Sequence, residues 1–135
     1  MTDNSTLRDV FESQMAAYAA GDTERLLASF SDDCVLQDMA DPDNTFTGKV
    51  EIKGFLDDYF STLVDASVKR TVVAAEGDTI VGELDVEATY IAEPFSRENG
   101  RRVTIPYCVI EKVRDGHVCF ERIYWDSAAL DRQLA

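Results

Sequence analysis

The stretch RRVTIPYCVIEK, residues 101–112, places apolar side chains on both faces of an extended chain: Val103, Ile105, Tyr107 and Val109 on one, Pro106, Cys108 and Ile110 on the other. An antiparallel strand with one solvated face would alternate polar with apolar residues, so this stretch predicts a sheet covered on both sides. The longest amphipathic helix of the chain is expected to supply one cover and a second copy of the chain the other, giving a homodimer. Pro106 has no N–H to give a ladder, which predicts a bulge or an unpaired position there.

Three turn signals divide the residues around this strand: Glu76-Gly77-Asp78, Glu98-Asn99-Gly100 and Arg114-Asp115-Gly116-His117. They predict four strands, roughly 68–75, 79–91, 102–113 and 117–126, joined as an antiparallel meander and followed by a short helical tail, SAALDRQLA. Upstream the period changes from two to between three and four. Leu7, Val10, Phe11, Met15 and Tyr18 give a first helix with Ser5 and Thr6 as caps; Gly21 stops it, and Asp22 caps a second, shorter helix with Leu26, Leu27 and Phe30 buried. A short strand at 34–39 follows, closed by the turn signal Ala40-Asp41-Pro42-Asp43. The strongest helix then carries Ile52, Phe55, Leu56, Tyr59, Phe60 and Leu63 on one face. Helices followed by a curved antiparallel sheet, with no linker or repeat, predict an α+β fold forming one domain over residues 1–135.

The chain has 135 residues, 45% of them hydrophobic, which suffices for a core with a pocket inside it. Asp and Glu number 26 against 13 Lys and Arg, a net charge of −13 that argues against nucleic acid and anionic membranes as partners. No apolar run reaches the ~18 residues of a membrane span, and MTDNSTLRD lacks the basic start of a signal peptide, so a cytoplasmic protein is expected. Cys34, Cys108 and Cys119 lack metal or redox spacing and read as small buried hydrophobes. The single histidine, His117, reads as a turn residue. Neither a metal nor a cofactor is expected.

The order of these elements, with the segments AAGDTERLLASFSDDCVLQD (19–38), ENGRRVTIPYCVIEKVRDGHV (98–118) and ERIYWDSAALDRQLA (121–135), resembles the nuclear-transport-factor-2-like superfamily over essentially the whole chain. Within it the chain is similar to the SnoaL-like polyketide cyclases, the ketosteroid isomerases and the limonene-epoxide hydrolases. The resemblance implies a cone, with helices closing one end and a curved sheet enclosing an apolar pocket. It also implies cofactor-free acid/base chemistry, a cyclisation, isomerisation or related proton transfer on a small hydrophobic carbonyl compound. A domain of the same fold that binds a hydrophobic ligand without turning it over, or acts only as a dimeric interaction module, is the alternative.

Asp38 alternates with Cys34 and Leu36 on one strand face, and facing into a cone it would be a carboxylate in apolar surroundings, suited to act as general base. The resemblance puts it where the isomerases carry their proton-transferring Asp. Asp126, in IYWD ahead of the tail helix, matches the place where SnoaL-like cyclases carry an acid/base Asp, and it also suits an ordinary helix cap. Glu111 shares a face with Ile105, Tyr107 and Val109; pointing inward it is a third candidate base, whereas at a surface it or Glu121 would pair with Arg122 or Arg102. Tyr18, Leu36, Tyr59, Tyr107, Val109, Ile123 and Trp125 are the candidate substrate contacts. Gln14 and Val109 stand where the isomerases polarise their carbonyl, and Ile123 where the hydrolases carry an Asp, so neither of those two reactions is expected in its usual form.

Overall fold

The computed structural model describes residues 4–41 and 43–135. The turn signal around Pro42 thus lies partly outside the described residues, as does the start of MTDNSTLRD. The elements are α1 (Asn4–Ala20), α2 (Thr23–Ser29), β1 (Phe30–Asp38), β2 (Thr45–Thr47), α3 (Gly48–Thr62), β3 (Leu63–Glu76), β4 (Thr79–Tyr90), β5 (Arg101–Arg114), β6 (His117–Trp125) and α4 (Ser127–Leu134). The fold is α+β, with helices packed on a curled sheet.

The strands form one sheet in the order β2-β1-β6-β5-β4-β3. The meander β3 to β6 is antiparallel, as its turns require. Beyond it, the expected short strand appears as β1, which adds to β6 in parallel, and β2, which was not expected, adds to β1 in antiparallel, making a six-stranded sheet. Parallel pairing of β1 with β6 joins residues more than 80 positions apart, which no local period encodes.

Local signals act where expected. Gly21 takes a left-handed φ of 65° and ends α1, and the Asp22 side chain accepts from Arg25 N at 3.1 Å to cap α2. Ser5 and Thr6, read as caps, lie within α1. The β5–β6 turn puts Asp115 at φ 53° and Gly116 at φ 77°, the pair of positive values that a two-residue hairpin needs. By contrast, Glu98-Asn99-Gly100 is the end of a longer loop between Tyr90 and Arg101, not a tight turn. β3 begins at Leu63, directly on the end of α3, five residues earlier than its first apolar alternation.

Along β5 the inner face is buried at Val103, Ile105, Val109, Glu111 and Val113, while the outer face carries Thr104, Pro106, Cys108, Ile110 and Lys112. Two helices share the inner face of β4 and β5: from α1, Leu7, Phe11 and Met15 pack on Ile80, Leu84, Val109 and Val113, while the expected α3 reaches the other end through Tyr59, packed against Val86, Val103 and Ile105. α3 also sets Ile52 and Leu56 against Leu36, Phe30 and Cys34 of β1. Pro106 sits opposite Asp85 in unbroken register with β4, one residue past the last β6 pair, Tyr107 with Trp125, so it is an unpaired position without a bulge. Just beyond, Gln133 of α4 replaces the missing strand: its Oε1 accepts from Thr104 N at 2.8 Å and its Nε2 donates to Thr104 O at 2.8 Å. Of the cysteines only Cys34 is core; Cys108 and Cys119 fall on strand positions that the helices do not reach and are half-buried. His117 is exposed at the hairpin, with Nδ1 2.9 Å from Asp115 O. No described helix is long and apolar enough to cross a membrane.

Candidate functional site

The concave face of the sheet and the helices α1 and α3 enclose a cavity. Met15 and Tyr18 reach it from α1, Phe55 and Tyr59 from α3, and Asp38 from β1; the sheet contributes Ala66, Val68, Leu84, Val86, Tyr107, Val109, Glu121, Ile123 and Trp125. About 90 Å³ is open to the centre of a water molecule, room for several waters or one small ring compound. The walls are apolar apart from the phenols, the indole and two carboxyl groups.

Asp38 ends β1, where its pairing with Ile123 of β6 turns it to the inner side. Its Oδ1 accepts from Trp125 Nε1 at 2.7 Å and from Ala40 N at 3.1 Å. Among the described residues no Lys or Arg pairs with it, and both bonds fall on one oxygen, leaving Oδ2 for a ligand. Tyr107 and Trp125 stand with ring centroids 5.9 Å apart, and Tyr59 lines the same cavity. Burial pushes the Tyr107 phenol well above its ordinary range, with the charges of Tyr59 and Asp38 adding to it, so this hydroxyl stays protonated as a donor.

Tyr18 closes the other side, edge-on to Tyr59 at 6.3 Å, and donates to Glu121 Oε2 at 3.0 Å. Glu121 faces inward because of a bulge in the β5–β6 hairpin. Arg114 pairs with His117 and Val113 with Val118, but the next pairs are Lys112 with Phe120 and Glu111 with Glu121. The extra residue, Cys119, turns Phe120 outward and Glu121 inward. Neither glutamate meets Arg122 or Arg102, whose partners are Gln37 and Glu87.

SnoaL-like domains supply the sequence profile that matches residues 11–120. The chain belongs to the SnoaL-like family. No curated protein matches it. Solved structures with the same SnoaL-like fold include a Shewanella putrefaciens protein named as a SnoaL-like polyketide cyclase (18% identity, 98% of each chain covered, TM-score 0.83). Another is a hypothetical protein of ketosteroid isomerase-like fold from Catenulispora acidiphila in complex with trimethylamine (18% identity, 92% of this chain and 90% of that one, TM-score 0.78). A third is TerC co-crystallised with polyporic acid (17% identity, 96% and 98%, TM-score 0.77).

In this SnoaL-like chain the cavity gathers Asp38, Tyr18, Tyr59, Tyr107, Val109, Ile123 and Trp125 from the expected site residues. Leu36 is fully buried among Phe30, Cys34, Ile52 and Leu56, behind the wall rather than in it. Asp126 is exposed outside the cavity, where it caps α4 by accepting from Ala128 N at 2.9 Å, with Arg132 at 3.9 Å. Glu111 faces inward and is fully buried behind Glu121. Met15, Phe55, Leu84 and Val86 were open to sequence reasoning, since each continues the period of a residue already on the inner face. The Gln14 amide, with its nitrogen on the carboxyl groups, donates to Glu121 Oε1 at 3.0 Å and to Glu111.

Burial holds the Glu111 carboxyl well above the usual range, its hydrogen bond and charge interaction with Glu121 adding to the effect. Glu121 is also raised by burial, with the bonds from Glu111 and Tyr18 working against it. Groups that bind protons more tightly folded than unfolded stabilise the fold fully below the unfolded glutamate value, about 4.3, and lose that contribution as pH rises through their folded values. Urea midpoints should therefore fall as pH rises above the unfolded glutamate value, and more steeply in the wild type than in Glu111→Gln. Parallel profiles would contradict a raised carboxyl at this position.

Proposed function

We propose that the chain is a cofactor-free acid/base enzyme in which Asp38 removes a proton alpha to the carbonyl of a small hydrophobic molecule, leading to cyclisation, isomerisation or a related proton transfer. The observation that carries this is a carboxylate with one free oxygen at the wall of an aromatic cavity, held by Trp125 rather than neutralised by a cation. Two relatives of the fold were crystallised with small molecules, trimethylamine and polyporic acid, which supports a small-molecule ligand. Tyr107 and Tyr59 provide ring surface and hydroxyl donors. The test is loss of α-protons from small cyclic ketones in D₂O, present with the wild-type chain and absent with Asp38→Asn. Three free cysteines accord with work in the reducing cytoplasm.

The enzyme is further proposed to be a homodimer through the outer sheet face. There Cys108 pairs with Tyr124, Ile110 with Arg122 and Lys112 with Phe120, and Val81 lies beside Ile110. On this face Glu83 and Asp85 of β4 stand beside Cys108 and Pro106, and Lys112 and Arg122 beside Phe120 and Ile110, so two copies related by a twofold axis can match acid to base. Sedimentation at micromolar concentration should give a dimer, and Ile110→Asp a monomer; a monomeric wild type would contradict the interface.

A further inference from the structure

Glu111 and Glu121 lie directly opposite each other on β5 and β6 at 0% and 1% exposure, and no Lys or Arg pairs with either among the described residues. Like charges in that position repel across a sheet, and two such ions without a cation would be intolerable in so dry a place. The Gln14 amide nitrogen reaches an oxygen of each, so the two carboxyl groups converge on one donor, and without a cation they can share that place only by holding a proton. α1 supplies the remaining donors, Gln14 to both groups and Tyr18 to Glu121 Oε2 at 3.0 Å. Of these four side chains only Tyr18 and Glu121 reach the cavity.

We propose that Glu111 and Glu121 hold a single proton, and that its transfer from Glu111 to Glu121 frees the Tyr18 hydroxyl to donate to a hydrogen-bond-accepting oxygen of the ligand. The identity of that oxygen as a carbonyl rests on the function proposed above. In the resting arrangement Glu111 O–H donates to Glu121, and Tyr18 also donates there, turned away from the ligand. The step breaks the O–H bond on Glu111 and forms one on Glu121. Glu121 then donates to Tyr18 Oη, and the phenolic hydrogen turns into the cavity. One proton moves within the pair, with no change in net charge and no co-reactant. Tyr18 is the titratable group facing the pair from α1; β4 presents only Ile80 and Gly82 on that face, and Asp38, Tyr59 and Tyr107 line the cavity beyond.

The direct test is the side-chain carboxyl ¹³C spectrum of the ligand-free chain at neutral pH, assigned by the signals that Glu111→Gln and Glu121→Gln remove. One carboxyl of the pair should resonate as a protonated acid and the other as a carboxylate. Two ionised or two protonated carboxyls would overturn the proposal, and this spectrum of the wild type stands even if a variant fails to fold. The second test uses cyclohexenone labelled with ¹³C at its carbonyl as the probe. Its downfield shift in the wild type should vanish in Tyr18→Phe. It should also vanish in Glu111→Gln, where Glu121 stays ionised and keeps the Tyr18 hydrogen. In Glu121→Gln the new amide can donate to Tyr18, so the shift should persist. A shift unchanged by Glu111→Gln would overturn the relay. Asp38→Asn leaves the carboxyl spectrum of the pair as it was, so failure of the Asp38 reading and failure of the shared proton are told apart.

Discussion

Asp38→Asn should lower turnover by about 10²–10⁴-fold, the range that one positioned acid/base group contributes. The variant should keep its fold, because the Asn Oδ1 can still accept from Trp125 Nε1 and Ala40 N, the two groups that hold the native side chain at 2.7 and 3.1 Å. Shape and ring contacts are retained while the proton acceptor is removed, so ligand affinity should change little and the loss should fall on kcat. Asp126→Asn is the matching control. Its side chain caps α4 from outside the cavity, and Asn is as good a cap as Asp, so both turnover and stability should be nearly unaffected. Steady-state kinetics of the two variants against the wild type checks both statements, and undiminished turnover in Asp38→Asn would move the base elsewhere in the cavity.

The largest stability effect is expected where α1 meets β4. Phe11 is fully buried, and its ring occupies the space that a side chain at Gly82 would need: a Cβ built there would lie 2.4 Å from Phe11 Cζ. Phe11→Ala should therefore cost about 3–5 kcal/mol, from lost burial and an unfilled hole against the sheet. Gly82→Ala should cost about 1–3 kcal/mol for the opposite reason, since the backbone of a central strand cannot retreat and the ring must. Gly82→Ala combined with Phe11→Leu should cost less than Gly82→Ala and Phe11→Leu measured singly and added, because the smaller side chain leaves room for the methyl group. Urea unfolding of the single and double variants measures that coupling, and strict additivity would show that the two positions do not share the space.

Much of the fold is written locally. The stop at Gly21, the Asp22 cap and the Asp115-Gly116 turn each act through a few neighbouring residues, and each is found in place. The parallel pairing of β1 with β6 was hidden because it depends on which distant strand edge is left open. The same limit governs the site. Asp38 could be placed inside from the alternation Cys34, Leu36, Asp38, but Leu36 could not be separated from the cavity wall, since a strand period gives the face and not the depth. The Glu111–Glu121 pair was harder still. Counting back from a two-residue turn pairs Glu111 with Phe120; only the bulge at Cys119 brings the two acids opposite each other, and a charged residue on an inner face invites a surface reading.

Catalysis is read by following deuterium into a ligand that the chain is shown to bind. A small cyclic ketone whose cavity contacts are established by NMR shifts at Tyr107 and Trp125 is incubated in D₂O with the wild-type chain, and incorporation at its α-carbon is read against buffer. A chain working through Asp38 should incorporate deuterium faster than buffer, saturably in ketone. Saturable binding with incorporation no faster than in buffer would contradict it and leave a domain that encloses its ligand without turning it over.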